Sequence, residues 1–437
     1  MIRIVLFGDK AGIKRLLKYF PKEAISGVVA AAIRPQYHKE VYSVAANAGI
    51  PFYIQPPKKS AEYVTFLRWL SCRKADLFFV NSYAMKLHKD MLSRSQLGGI
   101  NLHGGLLPQY RGSNPIQWSI IRNEHKAGVT LHEITDVIDG GNIIANKEVP
   151  ILFRDTWLDV RDRIKRAGDN LIEENLKDIL AGNWRSVPQQ RLLARSYRRR
   201  TPEDGVIDWS GSVLEIYNLI RALVKPLPGA FYSDNKGHKI VIDTYKSISE
   251  VAVLKYNFGC KTMSGKSVLL VPFVTGKYSN TEKEEQPMIA MPLKERSLYH
   301  DGFQDCLKLE KNAISSVSFE IRNQKSNEVV GYCGLRDYVW EKGTAEIFWN
   351  FRKSNAFPEP AKLETLRFLV TFAFTELELQ QVQSKLPPRS HNDCDLLLKM
   401  GFQQEKRAGK GFPENAETEA VVMSMKREDY GSCYSSA

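Results

Sequence analysis

From the first residues, short apolar runs alternate with stretches of helix length whose apolar positions recur every three or four residues. Ile2–Gly8, Ile25–Ala30, Pro51–Ile54, Leu77–Val80 and Gly99–Leu102 read as buried strands. Between them, residues 11–20, 39–48, 60–72 and 84–94 read as helices. This repeated βαβ alternation predicts an α/β domain built on a mostly parallel sheet covered on both faces. In such sheets ligands bind beyond the carboxyl ends of the strands, which directs attention to the residues after Ile100.

The pattern lapses near residues 185–205, where a basic, proline-containing stretch without clean periodicity reads as a linker. A helix over Ser212–Val224 follows, then a strand pair, Ala230–Ser233 and Lys239–Thr244, turning at Asp234–Gly237. A third unit begins near 265. Its expected strands are Ser267–Val274, Ser315–Arg322, Val329–Leu335 and Thr344–Trp349. A long helix carries Leu363, Leu366, Val370, Ala373 and Leu377 on one face. A strand at 380–386, a short helix at 393–399 and a strand at Glu419–Met425 complete the unit, and Tyr434–Ala437 is expected to fray. The expected domains are therefore 1–197, a short helix-plus-strands subdomain at 198–262, and a mixed α+β domain at 263–437.

Length and composition agree with that division. The chain has 437 residues, 43% hydrophobic and 25% charged, an ordinary globular composition for more than one domain. The charge of +13 suggests an anionic partner. Its distribution narrows the choice: residues 1–200 carry 32 Lys and Arg against 18 Asp and Glu, whereas residues 201–437 carry 30 against 31. The N-terminus lacks the apolar core of a secretory leader, no run is long enough to span a membrane, and the six cysteines show no metal-ligand spacing. A reduced cytoplasmic protein without structural metal is expected.

The richest stretch is Asn101-Leu-His103-Gly-Gly-Leu-Leu-Pro108-Gln-Tyr-Arg111-Gly-Ser113-Asn-Pro115. At a strand end, side chains two apart share a face, so Asn101 and His103 project together while Leu102 turns to the core. Some thirty-five residues on, a strand-like segment breaks at Asp139-Gly-Gly and offers a carboxylate on a loop. An amide donor, an imidazole and a carboxylate suffice for acyl transfer to an amine. The amide stabilises the developing oxyanion, the imidazole takes a proton, and the carboxylate orients and stabilises the imidazole. Individually, such residues more often cap strand ends or make turns. The glycines of Gly8-Asp-Lys-Ala-Gly12 do not match a dinucleotide fingerprint.

The run Asn101–Ile116, continuing through Gly128-Val-Thr130-Leu-His to Ile138-Asp139-Gly-Gly-Asn-Ile-Ile144, resembles the signature of the 10-formyltetrahydrofolate-dependent formyltransferases. The resemblance covers about residues 1–245. It implies a Rossmann-like formyltransferase fold with catalytic residues at Asn101, His103 and Asp139. It further implies that 10-formyltetrahydrofolate supplies a formyl group to a primary amine. In that family main-chain groups of the loop after the preceding strand hold the pterin. The corresponding loop here, Asn81–Leu87, gives Met85 and Leu87 as cofactor contacts.

Two branches of the family differ in the amine: one formylates methionyl initiator tRNA, the other amino sugars on a nucleoside diphosphate. A tRNA enzyme needs a broad basic surface, and the chain beyond residue 200 is net −1. The expected acceptor is therefore a nucleotide-linked amino sugar, with a dTDP-3-amino- or dTDP-4-amino-dideoxyhexose favoured, Arg111, Ser113 and Trp118 near it, and surface-polysaccharide (O-antigen) precursors as the product. No nucleic-acid or membrane partner is expected, and the assembly expected is a homodimer.

Residues 265–430 resemble the GNAT acetyltransferase fold through Val329–Leu335, Ala345–Trp349, the helix at 361–377 and Ser390–Phe402. The GNAT pyrophosphate-binding turn is replaced by Arg352-Lys-Ser-Asn-Ala-Phe-Pro358-Glu-Pro360. That sequence lacks both glycines, lacks two N–H donors and adds a negative charge. A non-catalytic module without acetyl-CoA is the favoured expectation over a bifunctional formyl/acetyltransferase.

Overall fold

The computed structural model describes residues 2–234, 236–258, 263–273, 316–351, 357–387, 390–405 and 421–434. The chain divides into two compact units, one of residues 1–205 and 222–224, the other of 206–221 and 225–437.

The first unit is α/β. Five strands, β1 (Ile4–Gly8), β2 (Ile25–Ala31), β3 (Phe52–Gln55), β4 (Leu77–Asn81) and β5 (Gly99–His103), lie parallel. A two-residue strand, β6 (Arg111–Gly112), leaves this sheet, and β7 (Lys126–Glu133) and β8 (Ile143–Pro150) return to it antiparallel. The order is β3-β2-β1-β4-β5-β7-β8, so the direction of winding reverses beside β1. Val5, Phe7 and Phe78 are fully buried and pack with Phe66 and Leu70 from a covering helix. Each such side chain stabilises the fold by about 2–3 kcal/mol through removal from water.

The helices are α1 (Lys10–Tyr19), α2 (His38–Asn47), α3 (Glu62–Cys72), α4 (Lys89–Leu92), α5 (Pro115–Ile121) and α6 (Trp157–Ala181). Gly12 is glycine because α1 lies against β4: a Cβ there would stand 2.2 Å from the Asn81 carbonyl oxygen. Packing thus accounts for Gly12 without a dinucleotide site. The helix expected over 84–94 shrinks to the single turn of α4. Ser82 takes the left-handed conformation (φ 57°), and Leu87 is buried in the core, which draws residues 82–88 into an irregular loop. The longest helix, α6, opens with reciprocal Thr156–Asp159 capping and buries Val160, Ile164, Ala167, Leu171 and Ile172. The linker is not free chain. Within it, β9 (Ser196–Tyr197) pairs parallel with β6.

The second unit contains α7 (Val213–Ala222), the hairpin β10 (Ala230–Ser233) and β11 (Lys239–Ile242), and α8 (Ile248–Phe258). Its eight-stranded sheet comprises β12 (Met263–Ser264), β13 (Val268–Phe273), β14 (Val317–Asn323), β15 (Val329–Val339), β16 (Thr344–Phe351), β17 (Gln381–Leu386), β18 (Gln403–Gln404) and β19 (Val421–Lys426). All neighbours are antiparallel except β16 and β17, which pair in parallel through Thr344–Glu346 and Gln381–Gln383. Helix α9 (Glu359–Thr375) joins these two strands and buries Leu366, Leu369, Val370, Phe372 and Ala373. α10 (His391–Lys399) and α11 (Arg427–Tyr434) complete the unit, so Tyr434 ends a helix where frayed chain was expected. Glu376, just after α9, ties α7 and α8 into this unit: it accepts the Val213 N–H at 2.9 Å and pairs with Lys255 at 2.5 Å. Arg352–Ala356, the core of the altered GNAT turn, lie outside the described residues.

Candidate active site

The antiparallel register of β5 and β7 sets Asn101 opposite His132 and His103 opposite Thr130. Leu102, between the two polar residues, is buried in the core as the strand alternation requires. The Asp-Gly-Gly segment forms the turn from β7 to β8, with Asp139 left-handed at φ 51°, a conformation Asp tolerates better than most residues. This turn carries the carboxylate to the end of β5. His103 Nδ1 lies 3.6 Å from Asp139 Oδ2, and Asn101 Nδ2 lies 3.4 Å from Asp139 Oδ1. The three residues singled out from the sequence therefore meet.

Hydrogen-bond partners fix the tautomer of His103. Its Nε2 lies 2.7 Å from the Tyr110 carbonyl oxygen, which can only accept, so Nε2 carries the hydrogen and Nδ1 is the basic atom. Burial lowers the His103 pKa, against the opposing pull of Asp139. Burial by itself would raise the Asp139 carboxyl, but His103, His132 and the Gly112 N–H together bring it down to about 2. At neutral pH the site thus holds a neutral imidazole beside a carboxylate, ready to form an ion pair if Nδ1 gains a proton.

His132 belongs to this cluster although no role was read for it in the sequence. Its Nδ1 donates to the Glu133 carbonyl at 2.7 Å, and its Nε2 lies 3.0 Å from Asn101 Nδ2, from which it accepts when the ring is neutral, and 3.4 Å from Asp139 Oδ1, to which it donates when the ring is charged. One amide hydrogen of Asn101 is therefore firmly held, while the other makes the long 3.4 Å contact with Asp139 and is the easier to redirect to a ligand oxygen. His132 ends the Gly128–His132 part of the motif, but only the strand register sets it opposite Asn101.

The linker completes the surroundings. Gly112 N–H donates to Asp139 Oδ2 at 2.7 Å, in a backbone conformation (φ 92°) that favours glycine. A Cβ there would stand 2.2 Å from the Tyr197 carbonyl oxygen of β9. Arg111 is half-buried, and its guanidinium donates to Gln189 Oε1 from Nε at 3.0 Å and from Nη2 at 2.7 Å. Ser113 N–H donates to the Tyr197 carbonyl at 3.0 Å. Trp118 Nε1 donates to the Arg198 carbonyl at 3.2 Å, and the Arg200 guanidinium lies over its ring. Arg198 itself pairs with Asp204, so part of the basic run is already neutralised.

The loop after β4 leaves the same edge of the sheet as the end of β5, because those strands are parallel neighbours. In it Met85 is half-buried, while the Leu87 side chain is committed to the core. Lys86 lies 3.7 Å from Asp136, linking this loop to the one that bears Asp139.

Residues 2–176 match the model of the family described as formyl transferase, and residues 199–269 match that of the formyl transferase C-terminal domain. Together the two matches span more than half of the chain. Among solved structures, the chain is similar to a 4-N formyltransferase from Francisella tularensis at 19% identity, over 56% of this chain and 97% of that one, with a TM-score of 0.47. It is also similar to a sugar N-formyltransferase from a Shewanella species, at 21% identity over 56% and 98% of the chains (TM-score 0.47). A third is the N-formyltransferase from Helicobacter canadensis solved with folinic acid and dTDP-3-aminofucose, at 23% identity over 54% and 85% (TM-score 0.44).

Proposed function

This chain belongs to the formyl transferase family, and on that premise we propose that it moves the formyl group of 10-formyltetrahydrofolate to the amino group of a nucleotide-linked amino sugar. The observation that carries the reading is the meeting of Asn101, His103 and Asp139 at the carboxyl end of β5. In the proposed reaction the amine nitrogen bonds to the formyl carbon while the Asn101 amide donates to the formyl oxygen, where negative charge develops. His103 Nδ1 takes the proton shed by the amine, and Asp139 stabilises the imidazolium. As the bond from the formyl carbon to the folate nitrogen breaks, that proton passes to the leaving nitrogen and His103 returns to neutral.

The irregular loop 82–88, with Met85 and the main chain of Leu87, is the proposed folate contact; its position beside β5 supports this. The acceptor reading rests on charge. The basic excess belongs to residues 1–200 and suits a folate carboxylate and a sugar pyrophosphate, while residues 201–437 supply no net positive surface for an RNA. Arg111, Ser113 and Trp118 are the proposed acceptor contacts, and a dTDP-3-amino- or dTDP-4-amino-dideoxyhexose is the proposed acceptor. We assign the second unit a non-catalytic, GNAT-like role. In support, α9 begins with Pro358 at its cap and Pro360 in its first turn, and Glu359 there pairs with Lys399. Such a helix start is poorly suited to a pyrophosphate.

The test is turnover with 10-formyltetrahydrofolate and, in separate reactions, dTDP-3-amino, dTDP-4-amino and UDP-4-amino sugars, with methionyl-tRNA as the contrasting acceptor. Formylation of one sugar nucleotide supports the reading. Formylation of methionyl-tRNA alone overturns it.

A further inference from the structure

The linker between the end of α6 and β9 approaches the catalytic carboxylate through one side chain. Gln189 Nε2 donates to the Asp139 carbonyl oxygen at 2.8 Å and to the Gly141 carbonyl oxygen at 2.6 Å. Its Oε1 accepts both Arg111 Nε and Arg111 Nη2. The amide orientation is unambiguous, because two carbonyls need a donor and a guanidinium needs an acceptor. Gln189 therefore grips both loops that define the Asp139 carboxylate: the turn that carries it, and the β6 segment whose Gly112 N–H binds it. The linker backbone holds that segment independently, with Arg111 N–H donating to the Arg195 carbonyl, Arg195 N–H to the Pro108 carbonyl and Ser113 N–H to the Tyr197 carbonyl.

We propose that Gln189 is a positioning residue of the active site, acting through Asp139, and that Arg111 serves with it as the brace between the two loops. The Gln189 side chain bonds Arg111 and the Asp139 and Gly141 carbonyls, and its effect on Asn101, His103 and His132 runs through where it holds the Asp139 backbone. The groups facing His103 are Asp139 from the β7–β8 turn, His132 from β7 and the Tyr110 carbonyl from the loop before β6. Of these, Asp139 is the one Gln189 controls. A brace of this kind keeps a reacting carboxylate within the few tenths of an ångström that an ion pair with His103 requires.

The inference rests on the proposed formyl transfer for its catalytic meaning, so its test reads the site without substrate. The full-length protein, labelled with carbon-13 at the histidine ring, is titrated by NMR, with the His103 signal assigned by its loss in His103→Gln. Asp139→Asn lowers the His103 midpoint by removing the charge that favours imidazolium. Gln189→Ala is expected to move His103 the same way. In the Asp139→Asn background, Gln189→Ala is expected to add nothing, the mark of two residues acting as one. Gln189→Met, which keeps the length of the side chain and adds no charge but makes none of these hydrogen bonds, guards against a variant that fails to fold and should shift His103 similarly. A His103 titration unchanged in both Gln189 variants, or an equal shift with and without the Asp139 carboxylate, overturns the inference. Turnover is then measured with the sugar nucleotide that the parent formylates: kcat falls at least tenfold while KM stays within about threefold. Absence of turnover in the parent removes the proposed reaction but leaves the titration result standing.

Discussion

Replacing Asp139 by asparagine isolates the charge that the site brings to His103. The amide keeps the shape of the side chain and an oxygen to accept the Gly112 N–H, so the turn should hold its course. What is lost is the attraction between carboxylate and imidazolium. At 3.6 Å and an effective dielectric of about 20, two opposite unit charges attract by roughly 4–5 kcal/mol. Each charge is spread over its group, which lengthens the mean separation and leaves about 3 kcal/mol. The lowering of the Asp139 carboxyl has the same sign: burial opposes it, and His103, His132 and the Gly112 N–H together outweigh the burial. If proton transfer to His103 limits the rate, a loss of that size slows turnover about a hundredfold. The assay is initial-rate kinetics from pH 6 to 9 with the acceptor that the parent formylates. The loss should appear in kcat, with both KM values within about threefold, because the carboxylate acts when the imidazole becomes charged and not before. A loss below about fivefold, or one confined to KM, refutes the assignment of Asp139 as the partner of protonated His103.

Gly112→Ala should lower kcat by at least tenfold while leaving the secondary structure of the first unit intact, as read by turnover and circular dichroism together; the new Cβ collides with the Tyr197 carbonyl and draws the Gly112 N–H away from Asp139. Stability should fall on acidification in two steps. His103, depressed in the folded state, contributes fully above its unfolded value of about 6.5, and its contribution is lost as pH falls towards the folded value. Asp139, also depressed, contributes above about 3.9 and loses its contribution as pH falls towards 2. Urea unfolding across that range checks both, and the first step should be absent in His103→Gln. A protein cut after residue 262 should bind an apolar dye and lose solubility, because α7 and α8 belong to the unit that continues through α9.

The parallel strands were legible from local pattern, and the proposed catalytic trio from its place in a motif that resembles a family signature. Apolar runs mark β1 to β5, a two-residue spacing aims Asn101 and His103 together, and Asp139 precedes paired glycines. What escaped depends on partners distant in sequence. The periodicity of residues 84–94 suggests a helix, yet burial of Leu87 and the left-handed Ser82 override it. His132 enters the site only through the register of β5 with β7, which no local pattern encodes. α6, absent from the expected elements, carries readable signals in its sequence: an amphipathic face and a capping pair at Thr156 and Asp159.

The linker illustrates the same limit more sharply. By composition it is a spacer: basic, proline-bearing and without period. In the folded chain its residues turn inward one after another. Trp184 and Ser186 bond the Glu133 carboxylate, Val187 exchanges backbone bonds with Ile143, Gln189 braces the Asp139 turn, and Tyr197 stacks on Tyr110 with ring centroids 5.0 Å apart. Tyr110 is also the residue whose carbonyl fixes the tautomer of His103. A segment that joined two units passively would tolerate insertion at most positions. One that packs on Tyr110 and braces the Asp139 turn tolerates it only where these contacts are spared, and the exposed turn at Arg191–Leu193 is such a place. The basic excess of the first 200 residues follows the same division. Arg198 is paired with Asp204, so the charge left to attract an anion is smaller by that pair than the sequence count of that half suggests, whereas Arg111, held by the neutral Gln189 amide, keeps its charge.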